Sequence, residues 1–210
     1  MTPTQFILAN TALIAPPLVP EVRLHLAVEI MPLWRKTEEE LQEMGVPPPY
    51  WAFAWAGGQA LARYLLDNPE VVRGKSVLDF GSGSGLVAIA AAMSRARSVL
   101  AADIDAHAAA AIALNAKANA VVLNIKTENV IGARDAYDVI LCGDMCYEKA
   151  LAETLLAWLR GHEANVLVGD PGRNYFPKSG LERLALYRVK TTRDLEDSEI
   201  RETGVYRLLP

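Results

Sequence analysis

The sequence predicts one α/β domain with a seven-stranded, mostly parallel sheet, helices on both faces and an antiparallel strand at the C-terminal end. Three observations carry that expectation. From Lys75 onward, short apolar runs alternate with helix-forming stretches, the order that builds parallel strands joined by helical crossovers. At 76–86 the chain reads SVLDFGSGSGL: an apolar run, glycines at alternate positions, then the start of the helix former LVAIAAAM. Finally, 210 residues with 51% hydrophobic content suit one full core rather than two.

Taken in order, residues 1–20 are expected to form an extended arm with a proline-rich end. Residues 21–34 alternate partly, as in VRLHLAVEI, and predict a strand. Thr37, with Glu40 at the capping-box position and Gly45 closing the run, predicts a short polar helix. Pro47, Pro48 and Pro49 break the chain, and Tyr50, Trp51, Phe53 and Trp55 follow before the pair Gly57-Gly58. A helix at 59–66 stops at Asp67-Asn68-Pro69. Strands are expected at 76–80, 98–102, 121–126, 137–142 and 165–168, with helices at 84–94, 106–119 and 149–160. Residues 184–190 and 204–209 read as a terminal hairpin joined by a polar, acidic loop. The chain is expected to be a single domain, with 1–56 as an N-terminal extension and 57–210 as the core.

Composition narrows the function. The net charge is −4 and the lysines and arginines are scattered, so nothing tracks a nucleic-acid backbone. That balance is compatible with a cationic substrate such as a lysine side chain. Cys142 and Cys146 stand in a C-x-x-x-C spacing without a His or Cys cluster, which argues against a metal site and a disulfide. Reduced thiols suit the cytoplasm. The first basic residue is Arg23, so a signal peptide is not expected, and no apolar run is long enough to cross a membrane. An acidic monomer is the expected state.

The glycine turn carries the chemistry. Gly81, Gly83 and Gly85, with Ser82 between them, let the backbone bend sharply and let a ligand approach it. The pattern is G-x-G-x-G rather than the dinucleotide G-x-G-x-x-G, and an acid, Asp79, sits inside the strand. An acid there suits a ligand with a cationic amino group or sulfonium. The second strand ends at Asp103, 24 residues after Asp79 (103 − 79), near the spacing at which an acid meets ribose hydroxyls; Ile104 follows it. Asn129, after the third strand, is placed for an adenine edge or for a polar loop in equal measure. Gly143 and Asp144 follow the fourth strand, in GDMCYE. Asp144 and Tyr147 form a D-x-x-Y set beside the expected methyl position, or else a helix cap with a packed tyrosine. PPPYW at 47–51 looks like a base-methylating motif but precedes the first core strand, so it is set aside. Trp55 is read as a cofactor contact, since an aromatic face attracts a sulfonium. Trp51 divides between substrate contact and core packing. Asp170 and Arg173, in GDPGRNYFP, are read as substrate-handling residues, with Arg173 either clamping an acid of the substrate or pairing with Asp170.

A lysine amine attacks only when neutral. With a free pKa of about 10.4, neutralising it near pH 7 costs about 4–5 kcal/mol. A carboxylate at Asp144 cannot supply that, because it stabilises the ammonium; its expected work is to aim the lone pair.

Together WAFAWAGGQALARYLLDNP, VLDFGSGSGL, GDMCYE and GDPGRNYFP resemble the Rossmann-like, seven-strand (class I) protein lysine methyltransferases. Within these the likeness is greatest to the branch that acts on the β subunit of electron transfer flavoprotein, from about Pro20 to the end. The resemblance implies S-adenosylmethionine as cofactor, a lysine-bearing protein as substrate and a bacterial cytosolic relative of a mitochondrial enzyme. It matches Asp144 and Tyr147 to the family's D-x-x-Y motif, Asp103 to its ribose-binding acid and Trp55 to its cofactor-side tryptophan. The alternatives are a ribosomal-protein or small-molecule N-methyltransferase with the same cofactor site, and a cofactor-binding module that has lost catalysis.

Overall fold

The structure, a computed structural model, describes residues 1–28, 48–191 and 200–209. The expected helix after Thr37 and the far end of the expected 21–34 strand lie outside the described residues, as does most of the acidic loop of the terminal hairpin.

The N-terminus departs from the expected arm. Residues Pro3–Asn10 form helix α1, because Thr2 and Gln5 make a reciprocal capping box and Pro3 is pre-set at the first helical position. Two short strands follow, β1 (Ala12–Ile14) and β2 (Leu24–Leu26), paired antiparallel. Buried Asn115 holds β2 in place, accepting from the His25 N–H at 2.7 Å and donating to the Ser84 carbonyl at 2.8 Å.

Helix α2 (Ala56–Asp67) leads into the core: β3 (Ser76–Phe80), α3 (Leu86–Met93), β4 (Ser98–Ala102), α4 (Ala106–Ala118), β5 (Asn124–Lys126), β6 (Val139–Gly143), α5 (Lys149–Arg160), β7 (Asn165–Asp170), β8 (Leu181–Lys190) and β9 (Ile200–Leu208). Among the described residues, seven strands make one sheet in the order β5-β4-β3-β6-β7-β9-β8. The first five are parallel; β9 runs antiparallel to β7, and β8 antiparallel to β9. The tail hairpin expected at 184–190 and 204–209 thus joins the sheet whole, as its two antiparallel strands.

Strand side chains alternate between two cores. Val77, Val99, Val139, Leu141 and Leu167 face α2 and α3, whereas Leu78, Phe80, Ile140, Val166 and Val168 face α5. This two-sided burial is why the strands read as continuous apolar runs. Strand order reverses between β3 and β6, which places the glycine turn and the Asp144 loop side by side at the ligand-binding edge. Helix α2 lies unusually close to β7: a Cβ on Gly57 or Gly169 would collide with the other's carbonyl oxygen. That approach brings the start of α2 against the loop after β6.

Candidate active site

The C-terminal ends of β3, β4 and β6 open onto a cavity of about 650 Å³, a size typical of small-molecule sites. One wall is the glycine turn. Gly83 has φ +54°, and a Cβ there would meet nothing nearer than 3.9 Å, so its bare face is turned to open space beside the cavity it lines. Asp103 closes this wall: Oδ2 accepts from the Gly83 N–H at 2.8 Å and Oδ1 from the Asp105 N–H at 3.0 Å. Burial raises its pKa. The carboxylate keeps acceptor capacity for a further donor. Ile104, 77% exposed, stands on the rim. Asn129 also lines the cavity, while its Oδ1 accepts from the Ile131 N–H at 2.9 Å, so loop-former and cavity wall coincide in one residue.

Asp79 lies deeper. It is 1% exposed, and its Oδ2 accepts from the Ser82 hydroxyl at 2.6 Å and the Ala88 N–H at 3.0 Å. Burial pushes its pKa up to about 7. Asp79 and Ser82 line a smaller adjoining pocket that shares Trp55, Gly81, Gly83 and Gly143 with the main one. Gly85 is a correction: it caps α3 in the left-handed conformation and packs against Ile112, lining neither pocket.

The opposite wall centres on Asp144, a non-glycine residue at φ +58° and 6% exposed. Its N–H donates to the Gly169 carbonyl at 2.9 Å. Its Oδ2 accepts from the Gly57 N–H, a free donor of the first turn of α2, where the helix dipole also favours an anion. Its Oδ1 accepts from Arg173 Nε at 2.8 Å and pairs with Arg173 Nη2 at 2.7 Å. The helix-cap alternative fails, because α5 starts at Lys149 with Glu148 as its cap residue. Tyr147 is thus on an irregular loop; its ring, 44% exposed, packs 5.7 Å from that of Tyr50.

Arg173 lines the cavity, and its guanidinium pairs with Asp144 rather than with the Asp170 carboxylate, its central carbon 5.8 Å from the Trp55 ring centroid. Asp170, read as a substrate contact, is 1% exposed and lines no part of the cavity. Its Oδ1 accepts from the Gly172 and Arg173 N–H groups, both at 2.7 Å, so it shapes the loop that delivers Arg173. Trp51 is a wall residue packed as core, 3% exposed and stacked on His107 at 6.3 Å. Trp55 is fixed by its indole N–H, which donates to the Tyr50 carbonyl at 2.9 Å.

A family model described as ribosomal protein L11 methyltransferase (PrmA) matches residues 59–153. Over 99% of its length the chain is 42% identical to the electron transfer flavoprotein beta subunit lysine methyltransferase of Xenopus laevis, covering 87% of that protein. The protein of the same name from Danio rerio is also 42% identical, over 96% of this chain and 81% of that one. The chain belongs to the electron transfer flavoprotein beta subunit lysine methyltransferase family. Its fold is that of class I methyltransferases. A magnesium protoporphyrin IX methyltransferase from Synechocystis, solved with bound S-adenosylmethionine, superimposes with a TM-score of 0.53 at 10% identity, covering 72% of this chain and 77% of that one.

The methyl donor of this lysine methyltransferase family is S-adenosylmethionine, and the donor wall fits it. The Asp103 carboxylate and the bare backbone of the glycine turn both face a largely apolar cavity. Sequence reasoning missed three parts of the lysine methyltransferase site. The Gly57 N–H was hidden in a pair of glycines read as a turn. Pro48 and Tyr50, in the PPPYW stretch set aside as too early, line the cavity. Met145 packs its sulfur over Gly81, where a Cβ would clash with it. The signal for Tyr50 was the density of aromatics before α2.

Proposed function

We propose that this chain methylates lysine side chains on the β subunit of electron transfer flavoprotein. The observation that carries the reading is the 42% identity across 99% of the chain to a protein that bears that substrate in its name. The cavity supports it chemically. S-adenosylmethionine supplies an electrophilic methyl group on a sulfonium. Asp103 and the glycine turn bind and orient on one side, and Asp144 receives the amine on the other. The amine lone pair forms the new N–C bond, the C–S pair returns to sulfur, and the amine's proton goes to water. Tyr147 and Tyr50 form an apolar collar at the mouth, suited to the methylene stem of a lysine. One chain supplies both walls, which supports action as a monomer.

The test is methyl transfer from labelled S-adenosylmethionine to the purified β subunit, read by intact-protein mass, with ribosomal protein L11 as the competing substrate. Methyl groups on β-subunit lysines are expected. Label on L11 alone, or only in the small-molecule fraction, would replace this reading with the corresponding alternative.

A further inference from the structure

The carboxylate that receives the lysine is already paired. Two of the Arg173 guanidinium nitrogens, Nε and Nη2, fall on Oδ1 of Asp144, at 2.8 and 2.7 Å, while the Gly57 N–H donates to Oδ2. We propose that Arg173 is a positioning residue for methyl transfer: by pairing with Asp144 it cancels the carboxylate's charge, so the site takes up the target lysine as a neutral amine. The inference rests on the lysine chemistry proposed above and deepens it.

An isolated carboxylate would hold the substrate as an ammonium, which has no lone pair to give. A carboxylate paired with a guanidinium still accepts a hydrogen bond from an amine N–H, but it no longer rewards the extra proton. Arg suits this task because it stays charged wherever a lysine titrates. It is also well held. Its backbone N–H is bound by Asp170, its guanidinium lies near the Trp55 ring, and its side chain is 20% exposed against 7% for Asp144. In that partly dry wall the cancellation counts for more than it would in water.

Other ionisable groups face the pair from several elements. Asp170 comes from the end of β7, Cys142 and Cys146 flank Asp144, Tyr147, Glu148 and Tyr50 stand toward the rim, and Asp103 and Asp79 lie across the cavity. Asp170, pushed up to about 6, and Asp79, up to about 7, are ionised above pH 8. Cys146 and Tyr147, both pushed up to about 12 by burial, stay neutral below pH 10, as does Cys142, whose burial raises it well above the usual thiol range. A window from about pH 8 to 9.5 therefore separates the titration of the lysine from those of Asp79, Asp170, Cys142, Cys146 and Tyr147.

Two measurements on the purified β subunit test this, with wild type, Arg173→Gln and Arg173→Lys. The first is calorimetry at pH 8 in two buffers of different ionisation enthalpy, with S-adenosylhomocysteine bound. That product carries no sulfonium charge, so the proton count isolates Arg173. The wild type is expected to release close to one proton per lysine bound, and Arg173→Gln less than half as many. The second is the single-turnover rate across the pH window. Arg173→Gln is expected to be about tenfold slower at pH 8 and to approach the wild type by pH 9.5, its profile displaced upward by about two units; Arg173→Lys brings the profile back. A uniform rate loss at every pH overturns the proposal, since it leaves Arg173 only a loop anchor. So does a faster variant with a lower KM, which would make Arg173 a competitor for Asp144. If Arg173→Gln does not fold, the wild type and Arg173→Lys decide, and a wild type that binds without releasing a proton overturns the proposal. A wild type inactive on the β subunit at every pH sinks the proposed substrate; one that is active with an unshifted variant sinks this inference alone.

Discussion

The two walls of the cavity are built on different principles. The donor wall is a backbone construction: a glycine turn and a carboxylate tied to it by the Gly83 and Asp105 N–H groups, all within 79–105. The acceptor wall centres on a side-chain ion pair, Asp144 with Arg173, joined by the Gly57 N–H, the three coming from distant segments. Under the function proposed above, the first wall recognises a fixed molecule and needs a rigid outline, whereas the second handles a group whose proton count changes and needs charges balanced against one another.

Substitutions that strike one wall at a time sharpen this contrast. The largest effect is expected from Asp144→Asn, which keeps the shape and an acceptor but removes the charge. Turnover should fall about a hundred-fold, taking roughly 3 kcal/mol for a charge-assisted contact at the reacting group, while donor affinity stays near wild type. Calorimetry and methyl transfer on one preparation check it; equal collapse of both would move Asp144 to the donor wall.

Asp103→Ala is the converse. Two ribose hydroxyls sharing its carboxylate are worth about 1.5–3 kcal/mol, so the donor Kd should rise roughly ten- to a hundred-fold in a folded protein. Unchanged affinity would remove Asp103 from the site.

Asp79 should register in stability. Burial raises its pKa from 3.8 to about 7, so between those values the folded chain holds a proton that the unfolded chain has lost. Stability therefore falls as pH climbs from about 4 to 7, and above that the cost of the buried charge is fully felt. Asp170, raised to about 6, adds the same sign. Asp79→Asn should flatten the slope and stabilise the chain at pH 8 by about 1–2 kcal/mol, read from denaturant midpoints at pH 5.5 and 8. A wild-type midpoint that rises with pH would contradict this.

The smallest effect is expected from Tyr147→Phe. The ring is 44% exposed and packs against the Tyr50 ring at a tilt of 39°, a contact that does not use the hydroxyl, so its loss should alter turnover by less than about threefold. A larger loss would give the hydroxyl a part in the acceptor wall.

The same division explains what the sequence disclosed. The sheet, its crossovers and the donor wall were legible because their signals are local: apolar runs of strand length, glycines at fixed offsets and an acid at the end of β4. Helix α5 matched its expected bounds of 149–160 for the same reason. The N-terminal helix was missed because Pro3 and an apolar run read as extended, although Thr2 and Gln5 held the capping box. The acceptor wall was half legible. Asp144 was singled out from its place after β6, but the contacts it makes were not, since no pattern in the chain announces that Arg173 will reach past Asp170 or that Gly57 will lend an N–H. Those contacts depend on how closely α2 approaches β7.

That dependence also sets an order of events. Gly83 and Asp103 are 20 residues apart in the chain, Asp144 and Arg173 29, and Asp144 and Gly57 87. Closing a longer loop costs more entropy, and the Gly57 contact forms only once α2 has docked on β7. A refolding chain should therefore regain donor binding before it regains methyl transfer, and the lag between the two times the docking of α2.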